Sequence, residues 1–359
     1  VLHCKGEEKM IKVDLLIPRY SGKGGTETVI KKVVDFFEKR EDITFHLVLS
    51  QGMDSLTWLG TFQNYEENKN TSSNKLVQYA SGVLYLSKYF KRTDADIIIC
   101  LNTTMLRVAH FFKNRYKKSF KLVSWIHFSI FDEKAINSKF LHLAEYHLAI
   151  SSGIKKQLQS LDIPDEQIFL LFNPIEHQER TISPPNQGKK YIYIGRLMME
   201  GQKNVSELLY GLAQLDGEWS LDIYGDGEER QELESLASKL GIADKVAFLG
   251  WVVNPWNQIQ SATALVLTSQ FEGFPMVLLE SISYGVPCIS SNCPTGPEDI
   301  ITEANGLLYK MHKTEELCQS LSIIGEKTFS SEEVKQSINR FYPETYFTVF
   351  AQFLYKIIS

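Results

Sequence analysis

The chain runs through one pattern twice. Short runs of β-branched and apolar residues alternate with stretches whose apolar positions recur every three to four residues. The first series opens with IKVDLLI (11–17), a glycine loop, and TETVIKKVVDFFEKR with an apolar stripe at Val29, Ile30, Val33, Val34, Phe36 and Phe37. It continues through FHLVLS (45–50), DIIICLN (96–102), KLVSWIH (121–127) and YHLAIS (146–151). After Asn173-Pro174 the pattern pauses in a polar segment holding Pro184-Pro185 and Gly188, which reads as a linker. A second series follows: YIYIGR (191–196), a helix near 204–215, WSLDIYG (219–225), a helix near 227–240, VAFLGWV (246–252), ALVLTS (264–269), a helix carrying Glu280, and PCISS (287–291). The closing segment YPETYFTVFAQFLYKIIS has the apolar face of a helix. Such alternation requires parallel sheets with helices on both faces. The simplest architecture is two Rossmann-like α/β domains with a cleft between them.

A chain of 359 residues, 43% of them apolar, is long enough for two such cores. No apolar run reaches the length of a membrane-spanning helix. The polar VLHCKGEEK (1–9) before Met10 reads as an upstream extension, since it lacks the apolar centre of a signal peptide. Five cysteines at irregular spacing argue against a disulfide framework and for a reducing compartment. Residues 1–174 carry 24 Lys and Arg against 19 Asp and Glu, whereas the remainder carries 14 against 24. A basic half joined to an acidic half suggests different partners for the two. The net charge of −5 and the lack of a recognisable binding module speak against nucleic acid.

In open α/β sheets, ligands sit beyond the carboxyl ends of strands. The chemistry-bearing residues fall in such loops. Gly22, Gly24 and Gly25 follow the first strand and precede a helix, where backbone can approach an anion closely. The spacing is not that of a dinucleotide fingerprint, which disfavours a nicotinamide oxidoreductase. Arg196 and Lys203 follow the strand YIYI, a planar fork and a mobile point charge suited to a diphosphate. Gly225-Asp226-Gly227 marks a turn after the next strand. In QFEGFPMVLLE, Glu272 lies in the loop after ALVLTS, Gly273 and Pro275 shape a helix start, and Pro275 suits the first turn. Glu280 follows on that helix among Leu278, Leu279 and Ile282, so it needs a partner near a buried face.

Gly24-Gly25, Arg196 with Lys203, and Glu272 eight residues before Glu280 resemble, in order and placement, the retaining nucleotide-sugar glycosyltransferases of family 4. The segments GRLMMEGQKN, EGFPMVLLE and YGVPCISS are similar in particular to its lipopolysaccharide galactosyltransferases. The resemblance implies a GT-B fold, two Rossmann-like domains facing across a cleft. It implies an acceptor-side domain of residues 1–174 plus 341–359, whose final helix crosses back, and a nucleotide-sugar-binding domain of residues 175–340. It implies that Arg196 and Lys203 hold and stabilise the donor diphosphate, and that Glu280 holds the ribose. By the same resemblance, Glu272 is expected to contact the transferred sugar, and backbone from Gly273 through Phe274, Pro275 and Met276 to Val277 to help bind sugar and phosphates. Gly24 and Gly25 let the N-terminal domain approach the diphosphate. The resemblance also implies that His127 lies near sugar and acceptor, that Glu27 is a further acceptor-side candidate, and that Asn173 belongs to the interdomain motif. The implied reaction moves a hexose, galactose from UDP-galactose foremost, to lipopolysaccharide or another lipid-linked surface glycan, without cofactor or metal. A UDP-sugar 2-epimerase and a non-catalytic nucleotide-sugar binder remain alternatives. The implied location is the inner face of a bacterial cytoplasmic membrane, as a peripheral cytoplasmic protein.

The stretch RVAHFFKNRYKKSFK (107–121) mixes aromatic and basic residues, with Lys88, Lys91 and Arg92 nearby in sequence, and suits either an anionic lipid surface or an ordinary solvated helix face. Asp94-Ala95-Asp96 has the form of a metal-binding pair but precedes its strand, where a turn and cap is expected. His46, His110, His142 and His147 lie in or beside apolar runs and are expected to be packed.

Overall fold

Continuously apolar, β-branched runs become strands buried on both faces, as a helix-covered parallel sheet requires. The computed structural model describes residues 10–19, 25–53, 55–69 and 74–359. They divide into two units. One runs to Ile150 and takes in Ile154–Pro174 and Tyr346–Ser359; the other comprises Ser151–Gly153 and Ile175–Thr345.

The first unit contains β1 (Ile11–Ile17), α1 (Gly25–Phe37), β2 (Ile43–Leu49), β3 (Tyr65–Glu67), α2 (Lys75–Arg92), β4 (Ile97–Cys100), α3 (Thr103–Arg115), β5 (Lys121–Ile126), β6 (Tyr146–Ala149), most of α4 (Ser152–Gln159), and β7 (Ile168–Leu170). Its sheet has the order β3-β2-β1-β4-β5-β6-β7, every pair parallel. Asn74 caps α2 by accepting from Leu76 N at 2.9 Å, and Asn102 caps α3 through Met105 N at 2.7 Å. The expected Asp-x-Asp turn is structural. Asp96 accepts from Lys12 N at 3.1 Å and Asp94 pairs with Lys12 Nζ, at the amino end of β4. His147 is buried, with Nδ1 2.7 Å from Ser124 Oγ, and His110 Nδ1 lies 3.3 Å from the carbonyl of Leu143.

The second unit holds β8 (Lys189–Ile194), α5 (Val205–Ala213), β9 (Trp219–Tyr224), α6 (Arg230–Lys239), β10 (Val246–Gly250), β11 (Ala264–Leu267), α7 (Met276–Ser283), β12 (Cys288–Ser291), α8 (Pro297–Ile300), β13 (Gly306–Tyr309), α9 (Thr314–Glu326) and α10 (Ser331–Gln336). Its order, β10-β9-β8-β11-β12-β13, is again all parallel. Tyr191, Tyr193, Leu208, Leu212, Leu221, Ile223, Val266 and Leu317 lie in its continuous core.

The chain ends in α11 (Pro343–Ile358), whose aromatic face closes the first unit. Phe347 stacks on Phe36 at 3.8 Å between centroids, and Phe350 meets Phe37, Phe45 and Trp125 edge-on at 5.6–5.9 Å. The division differs from the expected domain limits in two places. The C-terminal return begins at Tyr346 rather than 341, because Phe341 packs on Phe274 and receives Ile175 N on its carbonyl at 2.9 Å. Ser151–Gly153 cluster with the second unit, where Ser152 N donates to Asp299 Oδ2 at 2.8 Å. Cys100, Cys288 and Cys293 are buried free thiols, and Cys318 is half-buried. Among the described residues, no helix is long and apolar enough to cross a membrane.

Candidate functional site

In each sheet the strand order reverses once, between β1 and β4 and between β8 and β11. The crevice where a doubly wound sheet takes a ligand lies between the loops leaving such neighbouring strands. In the second unit these loops carry Arg196 and Lys203 after β8 and Glu272 after β11.

Short-range packing fixes both loops. Gly225 N donates to the carbonyl of Gly250, Leu197 N to Asp226, and Gly195 N to Tyr224, all at 2.8–3.0 Å. Gly225 has φ +148°, and a Cβ there would sit 1.8 Å from the carbonyl oxygen of Gly195, so only glycine lets the two loops layer. Tyr193 Oη donates to the carbonyl of Arg196 at 2.9 Å, pinning that residue's backbone while its side chain stays exposed. Burial, with the Glu272 charge adding and Arg196 opposing, holds the Tyr193 hydroxyl far above the ordinary phenol range. Thr268 Oγ1 donates to the carbonyl of Lys203 at 3.0 Å, and Gln270 N to that of Gln202 at 2.8 Å.

Across this junction Lys203 Nζ donates to Glu272 Oε1 at 2.6 Å. The carboxylate is nearly buried and the ammonium largely so. Thr295 Oγ1 bonds the carbonyl of Glu272, and the adjoining Gly296, at φ +95°, leaves room for Pro275, whose Cδ would lie 2.5 Å from a Cβ there. Asn204, next to Lys203, is left-handed at φ 47°. It donates to Glu207 Oε2 at 2.6 Å; burial raises the Glu207 pKa.

The helix start differs from expectation in one respect. Pro275 caps α7 from outside, at ψ 91°, and Met276 is the first helical residue. Gly273, Phe274 and Pro275 are buried, and Met276 and Val277 half-buried. The unpaired amide groups of a first helical turn attract anions. Glu280 sits one turn into α7, and its Oε2 accepts from Trp256 Nε1 at 3.0 Å. Trp256 is buried, stacks on Tyr284 at 5.0 Å, and has its carbonyl held by Arg180 Nη1 at 2.8 Å. No local sequence signal marks Trp256, because its contact with α7 depends on strand order. Thr295 and Gly296 fall under the same strand-end rule as Glu272, in the loop after β12, and were open to that argument.

The remaining candidates belong to the first unit. Gly25 opens α1 and is exposed; Glu27, in the helix's first turn, is buried. Gly24 lies outside the described residues. His127, just after β5, is buried against Trp125 at 4.6 Å, and its Nε2 has no hydrogen-bond partner among the described residues. Burial pushes its pKa down to about 3, so the ring is neutral at physiological pH. Asn173 is buried, and its side-chain carbonyl has no hydrogen-bond partner among the described residues.

The family model described as "Glycosyl transferases group 1" matches residues 174–338. The Salmonella typhimurium protein named lipopolysaccharide 1,6-galactosyltransferase is 36% identical over 353 residues, covering 95% of this chain and 97% of that protein. This chain belongs to the group 1 glycosyl transferases. The Escherichia coli protein of the same name is 34% identical, with 97% and 99% covered. Among solved structures, the apo form of the lipopolysaccharide outer core galactosyltransferase WaaB superposes with a TM-score of 0.88 at 34% identity, covering 97% of this chain and all of that one. The two parallel-sheet domains are therefore those of a GT-B glycosyltransferase.

Proposed function

We propose that this glycosyltransferase retains anomeric configuration and moves galactose from UDP-galactose to a saccharide of lipopolysaccharide or a related lipid-linked glycan. The observation that carries the donor site is the Lys203–Glu272 pair at the β8/β11 reversal, beside the first turn of α7. Breaking a glycosyl–diphosphate bond places negative charge on the departing phosphate and positive charge on the sugar ring. Lys203, Arg196 and the α7 amides take the first; the Glu272 carboxylate stands beside the second. Fixed cations supply that stabilisation, so the reading needs no metal. The acceptor oxygen bonds to the anomeric carbon as the diphosphate leaves, and its proton passes to a phosphate oxygen on the same face. Glu280, aimed by Trp256, suits the ribose hydroxyls. The galactose and lipopolysaccharide assignments rest on the relatives' names at 34–36% identity over nearly the whole chain. His127, Glu27, Gly24 and Gly25 are proposed to serve the acceptor and phosphate from the first unit. A lipid-linked acceptor would bring the enzyme to a membrane face.

Calorimetry with UDP, GDP and ADP in the presence of a chelator tests the donor site. Wild type should bind UDP selectively. Lys203→Ala leaves Glu272 nearly buried and unpaired, so Arg196→Ala, at an exposed side chain, is the cleaner partner variant. Each should lose about 10- to 100-fold in affinity, the scale of a hydrogen bond to a charged group. A folded wild type that binds no nucleotide defeats the donor assignment. Proton NMR of the product then reads donor sugar and anomeric configuration, and turnover of donor alone would favour an epimerase.

A further inference from the structure

We infer that Glu207, in the first turn of α5, is a positioning residue for the Lys203 ammonium: it locks Asn204 in the left-handed turn that delivers Lys203 to Glu272. The inference rests on the reading of Lys203 as a cation of the donor site, but its first test needs no donor.

A helix ordinarily opens on a residue of extended conformation whose side-chain oxygen accepts from the first amides. Asn204 does neither. It precedes α5 at φ 47° and ψ 49°, and its side chain makes no bond to the helix amides. Those amides turn to the preceding loop instead. Val205 N donates to the carbonyl of Met198 at 2.9 Å and Ser206 N to that of Met199 at 3.1 Å. The loop that begins at Arg196 is thereby folded back onto the start of α5, and the chain turns sharply through Lys203 and Asn204. The left-handed region is crowded for a residue with a Cβ, and asparagine enters it because its short side chain can bond locally. Here the local partner is Glu207. Asn204 Nδ2 donates to Glu207 Oε2 at 2.6 Å. A glutamate at this helix position usually reaches back to the backbone N–H of the cap; this one reaches the cap's side chain.

Glu207 is placed where a carboxylate is costly. It is buried, and its neighbours Val205, Leu208 and Leu209 belong to the core of the second unit. An apolar side chain of similar size would avoid the desolvation cost. Burial raises its pKa, with the His312 charge and the Asn204 bond opposing. Its Oε1 has no hydrogen-bond partner among the described residues, and neither has the buried Tyr309 hydroxyl, which feels its charge. The bond to Asn204 is what the carboxylate contributes to the donor loop. Lys203, one residue before, is otherwise held by Thr268 Oγ1 on its carbonyl at 3.0 Å. Cutting the Asn204 bond frees the turn, and the ammonium then spends less time on Glu272 Oε1.

Lys203 is read directly by a pulse of acetic anhydride on the full chain, followed by peptide mass spectrometry, with the exposed Lys239 as internal reference. Pairing with Glu272 slows acetylation of Lys203. Glu207→Leu should raise its rate about fivefold relative to Lys239, within the range of coupling inside one hydrogen-bond network. Glu207→Gln keeps the shape and an acceptor oxygen and should stay within about twofold of wild type. Glycine adopts a left-handed turn unaided, so Glu207→Leu added to Asn204→Gly should cause no further rise. Where Glu207→Leu does not fold, Asn204→Ala cuts the same bond from the other side and should give the same rise. UDP affinity should fall about fivefold in Glu207→Leu, yet Glu207→Leu should add nothing to Lys203→Ala. The inference is overturned if Lys203 reacts at the wild-type rate in folded Glu207→Leu or Asn204→Ala. It is equally overturned if the rise persists on the Asn204→Gly background, which would make Glu207 a core residue acting without the turn. A wild type that binds no UDP defeats the donor reading alone, because the acetylation rates still decide what Glu207 does to Lys203.

Discussion

Trp256 gives Glu280 one fixed oxygen. The indole N–H holds Oε2 at 3.0 Å; the indole stacks on Tyr284, and Arg180 holds the backbone carbonyl of Trp256. If Glu280 receives the ribose, Trp256→Phe keeps the stacked ring but frees the carboxylate to rotate. UDP affinity should fall about fivefold to tenfold, less than the worth of a whole hydrogen bond to a charged group, because the carboxylate remains and only its orientation is lost. UDP lacking the ribose 2′- and 3′-hydroxyls should bind wild type and variant alike. Equal losses for both ligands would show that the indole matters only for folding. A second residue-scale consequence concerns pH. His127 is held neutral by burial, with a pKa near 3, and His147 near 4, by burial and then the His142 charge. The unfolded rings protonate near 6.5. Between these values the unfolded chain binds more protons, so the stability these neutral rings contribute is present above about pH 6.5 and drains away as pH falls. Each ring should account for about 2 kcal/mol of lost stability between pH 7 and pH 5. Urea titrations of wild type and His127→Gln at both pH values check this; an unchanged pH dependence in the variant would refute the His127 share.

At the scale of elements, period and punctuation made most of the fold readable. β1, β5, β8, β9 and β11 announce themselves as short runs dominated by apolar and β-branched residues, and α1 and α11 as stripes wide enough to bury one face. β3 and β7, at three residues each, are too short to display a period and emerge only from pairing with β2 and β6. The loops bearing Arg196, Lys203 and Glu272 were legible because parallel sheets send their ligand loops to one end. The bond between Lys203 and Glu272 was not, since it depends on β11 inserting beside β8, a choice no local pattern records. Pro275 shows the limit of helix-start rules. Proline suits both the first turn and the position before it, and packing beneath Gly296 selects the second. For α11 the energetics follow from contact. Phe350 is fully buried among Phe37, Phe45 and Trp125. Truncating it leaves a cavity that the surrounding rings only partly fill, so Phe350→Ala should cost about 3–5 kcal/mol.

The whole molecule sets a test of where that cost appears. Each sheet is wrapped by its own helices, and after the long second-unit span Ile175–Thr345 the chain returns to the first unit through Tyr346–Ser359. Two separately cored units need not unfold as one, and a single unfolding free energy then has no meaning. Urea denaturation followed by tryptophan fluorescence has a reporter on each side, with Trp125 buried in the first unit and Trp219 and Trp256 in the second. Two transitions are expected. Phe350→Ala should lower the midpoint of one and leave the other in place. Saturating UDP, at about a hundred times its dissociation constant, should raise the other by about 2.7 kcal/mol if its main contacts are those around Lys203 and Glu280. A single coincident transition moved by both perturbations would mean that the two units fold as one cooperative body. The α11 face would then be stabilising the nucleotide site through that coupling, rather than sealing a core of its own.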